Sequence, residues 1–505
     1  MLRISKSHIK PLLFVVGLTA FYGLFFLLSD FYDIPFRGFS DLVNILLQFS
    51  VVGFATFGVL YMISINRYVF AVTFPLLTAI CAILAYFKYT AKMTLTPMLF
   101  ELAVVNDIRT DMDVVSWQLV LLVIVSLIFA FSVVYYRFKK VTFSFPLIHF
   151  LFAFLIIFGV THVRAFANPL NARIPYNIYY SVNTYFANRK EIKNVRPDFP
   201  GKVLCEDNSI VIVVVLGESV RSSNLQINGY SRPTTPLLCK EKNVLSLPNI
   251  YSEEAFTHTS VPYLLTRASH DYPDRAYEER SFVSLFRKAG YRTAWIANQE
   301  PVSTFIYFMK ECDSLIYVNS GKSLYHYEKW LDEDILPYMD KELEREENRH
   351  LLILHTIGSH WWYNAHFPER FERWKPTLSS KVISSNSHEE MLNAYDNTIL
   401  YSDYFWNAAI NRLRHRNAVL IYLSDHGECM GEDGMYTHGA DHEALHKPAC
   451  FVWFSDSYMA RHADKVEALR KNRLRKYNSS FLFHSVLSAG GVKCDVFDES
   501  EDIFR

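Results

Sequence analysis

Polar and apolar positions divide the chain into two unlike halves that meet near residue 164. Before that point five stretches run without Asp, Glu, Lys or Arg: Pro11–Leu28, Leu42–Ile65, Tyr68–Phe87, Val114–Tyr136 and Val141–Val163. Each is close to the roughly 20 residues that cross a bilayer as a helix. Only Asn66 and Arg67 separate the second from the third, so these two are expected to form a tight hairpin. Trp117, Tyr135 and Tyr136 stand at segment ends, where amphipathic rings favour the membrane interface. The first stretch follows Arg3, Lys6 and Lys10, as a signal peptide would. Ser29-Asp30-Phe31-Tyr32 is a poor cleavage site, and the stretch reads as a retained helix.

Beyond residue 164 the pattern changes. A Pro-bearing, mildly basic linker over 165–208 carries tyrosines and apolar residues suited to lying along an interface. Short apolar runs follow at Ile210–Leu216, Arg292–Ala297, Leu351–His355, Ala418–Leu423 and Cys450–Phe454, with amphipathic stretches such as Glu279–Ala289 and Met391–Arg414 between them. Strands buried on both faces alternating with helices predict an α/β doubly wound, mainly parallel sheet. The expected organisation is a five-helix transmembrane domain over 1–164, the linker over 165–208, and an extramembrane domain over 209–505.

Charge sets the orientation. The 505 residues carry 51 basic and 51 acidic side chains, and this zero formal net charge gives no electrostatic reason to expect nucleic acid. With the N-terminus in the cytoplasm, the inner loops hold Arg3, Lys6, Lys10, Arg67, Arg137, Lys139 and Lys140 within 16 positions. The outer loops hold only Arg37, Lys88, Lys92 and Arg109 in 39. The positive-inside rule then exports everything after Arg164. Six of the seven cysteines lie in the exported half, yet no pair is close in sequence, and Cys450 sits in an apolar run as a buried thiol would.

In doubly wound sheets ligands bind at the carboxyl ends of the strands. The first strand ends in Gly217-Glu218-Ser219, the third runs into His355-Thr-Ile-Gly-Ser-His360, and the fourth ends in Ser424-Asp425-His426-Gly427-Glu428. Carboxylates and imidazoles gathered at one edge are the donors that zinc takes. Thr257, Thr259 and Ser260 add three hydroxyls to the nearby segment Thr257-His-Thr-Ser-Val-Pro262.

With Asn228-Gly-Tyr-Ser-Arg-Pro-Thr-Thr-Pro236, Gly290-Tyr-Arg-Thr-Ala-Trp-Ile-Ala-Asn-Gln299, Tyr395-Asp-Asn-Thr-Ile-Leu-Tyr-Ser-Asp403 and His438, these segments form an ordered set. In it the chain resembles the phosphoethanolamine transferases, a branch of the alkaline phosphatase and sulfatase superfamily that modifies bacterial envelope lipids and glycans. The resemblance spans nearly the whole chain. It implies zinc held by Glu218, Thr257, Asp425 and His426, with Thr257 as nucleophile and His360 and His438 flanking the phosphoryl group. It also implies phosphatidylethanolamine as donor and a phosphothreonine-type intermediate. The expected setting is a Gram-negative inner membrane, with the catalytic domain of a monomeric enzyme in the periplasm.

Lipid A is the expected acceptor, followed by lipopolysaccharide core sugars or a periplasmic glucan. A glycerol-phosphate transferase of the same plan and a non-catalytic envelope scaffold are the rivals. A sulfatase is disfavoured, because Ser260-Val-Pro262 begins the sulfatase signature but Leu264 stands where its Arg should be. By register with the lipid A enzymes, Glu253 and Tyr263 replace the cysteines flanking the nucleophile. Asn106-Asp-Ile-Arg-Thr-Asp111 matches the family's ethanolamine segment, making Asn106 a substrate-binding candidate. The Glu expected next is replaced by Val114 with Asp113 beside it, and Asp113 reads equally as an ammonium ligand or a solvated loop acid. His438, His442 and His446 would share one helical face as a second zinc site, or His442 and His446 are surface imidazoles. His355 is read as a hydrogen-bonded group behind the metal ligands.

Overall fold

The computed structural model describes residues 6–32, 34, 36–91, 93–105, 116–322, 328–438 and 441–505. They form two units, Met1–Tyr185 with Gly321–Glu328, and Phe186–Ser320 with Lys329–Arg505.

In the first unit the apolar stretches fold as α1 (Lys6–Phe25), α2 (Phe39–Ile65), α3 (Arg67–Ala91), a short α4 (Pro97–Val105), α5 (Trp117–Lys140) and α6 (Pro146–His162). Among the described residues four helical segments are long and apolar enough to cross a membrane. The fifth expected span is shorter. α6 has 17 residues and the chain turns by 91° into Ala165–Asn171, so five spans are reached only if this bent pair counts as one.

Several polar groups inside this unit are paired within it, as a medium without water favours. The Tyr22 and Thr78 hydroxyls meet at 2.8 Å, and Tyr61 Oη lies 2.6 Å from His149 Nδ1. Lys88 Nζ donates to Glu328 Oε1 at 2.8 Å. Arg137, counted above among the inner-loop charges, is only 4% exposed. Its guanidinium donates to the carbonyls of Ser64, Ile65 and Val141, closing the C-terminal end of α2.

The second unit is built on a seven-stranded sheet. Its strands are β1 (Ile210–Gly217), β2 (Val244–Ser246), β3 (Arg292–Ala297), β4 (Ser314–Tyr317), β5 (Arg349–His355), β6 (Ala418–Ser424) and β7 (Cys450–Phe454), in the order β2-β7-β6-β1-β5-β3-β4. β1, β3, β4, β5 and β6 are parallel, and β7 runs antiparallel to both of its neighbours. The sequence pattern missed β2 and β4 because both lie at sheet edges and are only partly buried, so neither needs a continuous apolar run. Every residue of β1 is buried, and each such Val, Ile or Leu contributes about 1.5–3 kcal/mol.

Three helices of this unit matter below: α7 (Thr257–Leu265), α8 (Phe282–Lys288) and α9 (His388–Leu413). α9 begins with a capping box in which Ser387 and Glu390 bond reciprocally. β1 is central, with β5 and β6 on either side, so the loops leaving these three carboxyl ends share one crevice.

Arg137→Ala should strip three carbonyls of their buried donor. An expected loss of about 3 kcal/mol would appear as a lower melting temperature in detergent. An unchanged melting curve would show that water satisfies those carbonyls instead.

Candidate metal centre and nucleophile

The chain leaves β1 through a reversal at Ser219, a non-glycine residue at φ 58°, in the left-handed region that costs about 1–2 kcal/mol. What holds it there is local. The Ser219 N–H donates to Asp425 Oδ1 at 3.1 Å, its hydroxyl to Glu218 Oε1 at 2.6 Å, and its carbonyl accepts from the Tyr395 hydroxyl at 2.7 Å. The turn thus aims Glu218 into the crevice and ties it to the end of β6.

Asp425 and His426 leave β6 beside it. Asp425 Oδ1 accepts the N–H groups of Ser219 and His426, the latter at 2.8 Å, while Oδ2 is buried with no hydrogen-bond partner. His426 donates from Nδ1 to the Gly427 carbonyl at 2.7 Å, which leaves Nε2 as the lone-pair nitrogen. Nε2 lies 3.5 Å from Glu218 Oε1 and 3.6 Å from Asp425 Oδ2. Glu218, Asp425 and His426 are all at most 1% exposed, and one ligand atom from each falls within 4.8 Å of the others.

Thr257 completes the group. It is the first residue of α7, and its hydroxyl donates to Glu218 Oε2 at 3.0 Å and lies 3.4 Å from His426 Nε2. The two rival hydroxyls are engaged elsewhere. Thr259 donates to the Phe256 carbonyl at 3.1 Å and Ser260 to the Asp425 carbonyl at 2.6 Å.

Two buried carboxylates this close need positive charge. Burial, and then the neighbouring Glu218, push Asp425 up to about 7. Burial would raise Glu218 too, but His426, His360 and His438 outweigh it and hold the carboxyl well below its usual range. An orphaned carboxylate oxygen, a lone-pair imidazole nitrogen, a second carboxylate and a hydroxyl converging on one point are an N/O donor set suited to zinc. A second grouping, His426, Glu428 and His438, shares His426 with the first.

His360 and His438 stand at the rim. Their ring centroids are 5.8 Å apart, and that of His438 is 4.8 Å from that of His426. His360 Nδ1 bonds the Trp361 carbonyl. His438 Nδ1 faces Glu428 Oε2 at 3.2 Å, and Tyr363 donates to the other oxygen of Glu428, also at 3.2 Å. Burial lowers His438, but the hydrogen bond and charge of Glu428 push it up to about 9.

Other candidates fall elsewhere. Asn106 and Asp113 lie outside the described residues. His355 does not play the hydrogen-bonded part expected of it. Its Nδ1 has no partner, the ring packs edge-on to Trp295 and Phe305, and burial lowers it to about 4. Among the described residues the segment bearing His438, His442 and His446 is not helical, so no shared helical face forms. His442 pairs with Asp433, and His446 bonds Asp441 and the Ser252 carbonyl while stacking on Tyr251. All seven cysteines are free.

Sequence reasoning gave no role to Ser219, Gln299, Glu428 or Asp332. The first three lay inside quoted motifs. Asp332 had no motif, and its part is visible only in three dimensions. Its carboxylate accepts the N–H groups of Ile357 and Gly358 at 2.9 and 3.0 Å, anchoring the loop that carries His360. That loop passes so close to Glu218 that a Cβ on Gly358, at φ +50°, would lie 2.6 Å from the Glu218 carbonyl oxygen.

Comparison with known proteins follows the same lines. The sulfatase family model matches residues 211–492. The phosphoethanolamine transferase EptA of Escherichia coli K12 is 28% identical over 318 residues, covering 59% of this chain and 56% of that protein. The Kdo(2)-lipid A phosphoethanolamine 7''-transferase of the same strain is 32% identical over 263 residues, covering 50% and 46%. The matched region thus spans about half the length of these relatives. The integral membrane lipooligosaccharide phosphoethanolamine transferase A of Neisseria meningitidis shares the fold, with a TM-score of 0.55 at 21% identity over 97% of this chain and 98% of that one. The periplasmic domain of Escherichia coli EptC, in complex with Zn, has a TM-score of 0.55 at 23% identity, covering 62% and 90%.

In metal-free protein the His438 imidazole should titrate well above its ordinary value, and Glu428→Gln should move the midpoint down, since the charge that raises it is gone. An NMR titration of the His438 ring reads this directly. Equal midpoints in the two proteins would refute the assigned pairing.

Proposed function

The chain belongs to the sulfatase family, and on that premise we propose that it transfers phosphoethanolamine from phosphatidylethanolamine to lipid A. The reading includes zinc dependence, a monomeric enzyme, and a catalytic domain on the periplasmic face of a Gram-negative inner membrane. One observation carries it. The Thr257 hydroxyl, at the start of α7, is hydrogen-bonded to Glu218 and adjoins His426 within a buried ligand set. Family membership alone would fit sulfate ester hydrolysis as well, but Leu264 breaks that signature and a threonine takes the nucleophile's place. The names of the relatives favour the phosphoethanolamine reading.

Zinc held by Glu218, Thr257, Asp425 and His426 would supply the positive charge that makes the threonine hydroxyl acidic and draws charge from the phosphoryl oxygens. The protein's own groups then have distinct tasks. Thr257 Oγ1, oriented by its hydrogen bond to Glu218 Oε2, forms a bond to the phosphorus of the donor and releases its proton to solvent. The bond from phosphorus to the diacylglycerol oxygen breaks, and that oxygen takes a proton from His438, which Glu428 keeps charged. A phosphoethanolamine ester of Thr257 remains. An acceptor O–H then forms the new bond to phosphorus and gives its proton to the now neutral His438, the threonine ester bond breaks, and Oγ1 takes back a proton from solvent. His360, on the same rim, bonds the Trp361 carbonyl through Nδ1, and burial favours its neutral form; only when protonated would its Nε2 donate to the phosphoryl oxygens as charge builds on them.

Incubation with phosphatidylethanolamine and no acceptor should add one phosphoethanolamine to the intact wild-type protein and none to Thr257→Ala, as read by mass spectrometry. An adduct that survives in Thr257→Ala but disappears in Thr259→Ala would overturn the nucleophile. An adduct formed from phosphatidylglycerol instead would point to glycerol-phosphate transfer.

For the acceptor, expression in a susceptible Gram-negative host should raise resistance to cationic peptides, because the added ethanolamine cancels phosphate charge that attracts them. Normal expression with unchanged susceptibility would move the acceptor away from lipid A.

A further inference from the structure

Glu218 carries a side-chain donor on each oxygen. Ser219 serves Oε1 from the adjacent residue, whereas Oε2 is reached from a different strand by Gln299, two residues beyond the end of β3. The Gln299 amide nitrogen lies 2.8 Å from Glu218 Oε2 and 2.8 Å from the Thr356 carbonyl oxygen. Both contacts are to acceptors, so the amide can face them only with its NH₂ group, and both of its N–H bonds are engaged. Two diverging hydrogen bonds fix the plane of the amide. Gln299 is 8% exposed.

Its backbone is equally constrained. The neighbouring Asn298 accepts from Trp330 Nε1 and Asn319 Nδ2 at 2.8 and 2.9 Å. It donates to Asp332 Oδ1 at 2.9 Å, and its own N–H donates to the His355 carbonyl at 2.8 Å. Asp332 in turn holds the N–H groups of Ile357 and Gly358. The carboxyl ends of β1, β3 and β5 are therefore joined through the pair Asn298-Gln299, with Gln299 alone touching the carboxylate.

We propose that Gln299 is the positioning residue for the Glu218 carboxylate, holding it in the orientation in which it can bind a divalent metal together with Asp425 and His426. A carboxylate ligand left free to rotate in this crevice would turn Oε2 wholly toward the Thr257 hydroxyl, its remaining donor there. The amide shares that oxygen and sets the plane of the carboxylate against a fixed backbone carbonyl. Groups behind metal ligands that do this are typically worth 10–100-fold in metal affinity.

The inference rests on the metal-binding part of the proposed function, and its test reads metal binding without substrate. Full-length Gln299→Met keeps the length of the side chain and removes both donors; Gln299→Leu is the second variant should the first fold poorly. Competition with a chromophoric chelator gives zinc affinity, cobalt(II) absorption reports ligand geometry, and thermal melting of the metal-free protein reports the fold. The expected result is a 10–100-fold loss of zinc affinity and an altered cobalt spectrum, with metal-free melting close to wild type. Lower metal-free stability with unchanged zinc affinity and cobalt spectrum would make Gln299 a structural residue only and overturn the inference. Wild-type protein that binds neither zinc nor cobalt would overturn the metal reading itself, and this inference with it.

Discussion

Two carboxylates buried side by side, Glu218 and Asp425, impose the condition that organises the second unit. Neither can stay ionised at low dielectric beside the other without compensation. The fold supplies part of it. Asp425 Oδ1 is satisfied by two backbone N–H groups and Glu218 by three side-chain donors, while three imidazoles lie close enough to lower the cost of the remaining charge. What is left over is one oxygen of Asp425 and one nitrogen of His426, both turned inward. That leftover is an N/O donor set of the kind a divalent cation takes. The left-handed Ser219, the close passage of Gly358 and the anchoring by Asp332 are the mechanical consequences of holding those groups still.

Much of this arrangement was legible in the sequence, for definite reasons. β1, β3, β5, β6 and β7 are buried continuously or nearly so, and burial on both faces forces an unbroken apolar run that composition alone betrays. Polar residues that end such runs tend to meet at the crevice, which brought the segments bearing Glu218, Asp425 and His426 to notice, and the resemblance to the transferases then singled out those three. β2 and β4 left no comparable trace, because an edge strand half open to solvent has no obligatory pattern. Nor could the pattern separate Thr257 from Thr259. That distinction is a matter of which hydroxyl the first turn of α7 directs at Glu218 and which it folds back on Phe256.

The errors are as informative as the successes. Arg137 stands next to the loop end of α5, where the charge count placed it, yet it is buried as a cap on α2, because a charge next to a helix end can serve the end rather than the solvent. His355 looked like a supporting hydrogen-bonder because it follows an apolar strand and precedes the site. In the fold it belongs to the aromatic packing beside Trp295 and Phe305. His442 and His446 are regularly spaced without being helical, and each finds a local partner. Spacing in sequence becomes geometry only once the secondary structure is known.

The free state of all seven thiols bears on what holds the second unit together. Cys312, Cys429 and Cys450 are buried there as small apolar side chains, with no covalent cross-link between segments. Packing and hydrogen bonds alone keep its strands and helices in register, so a loss of core packing meets no covalent tether that would limit it.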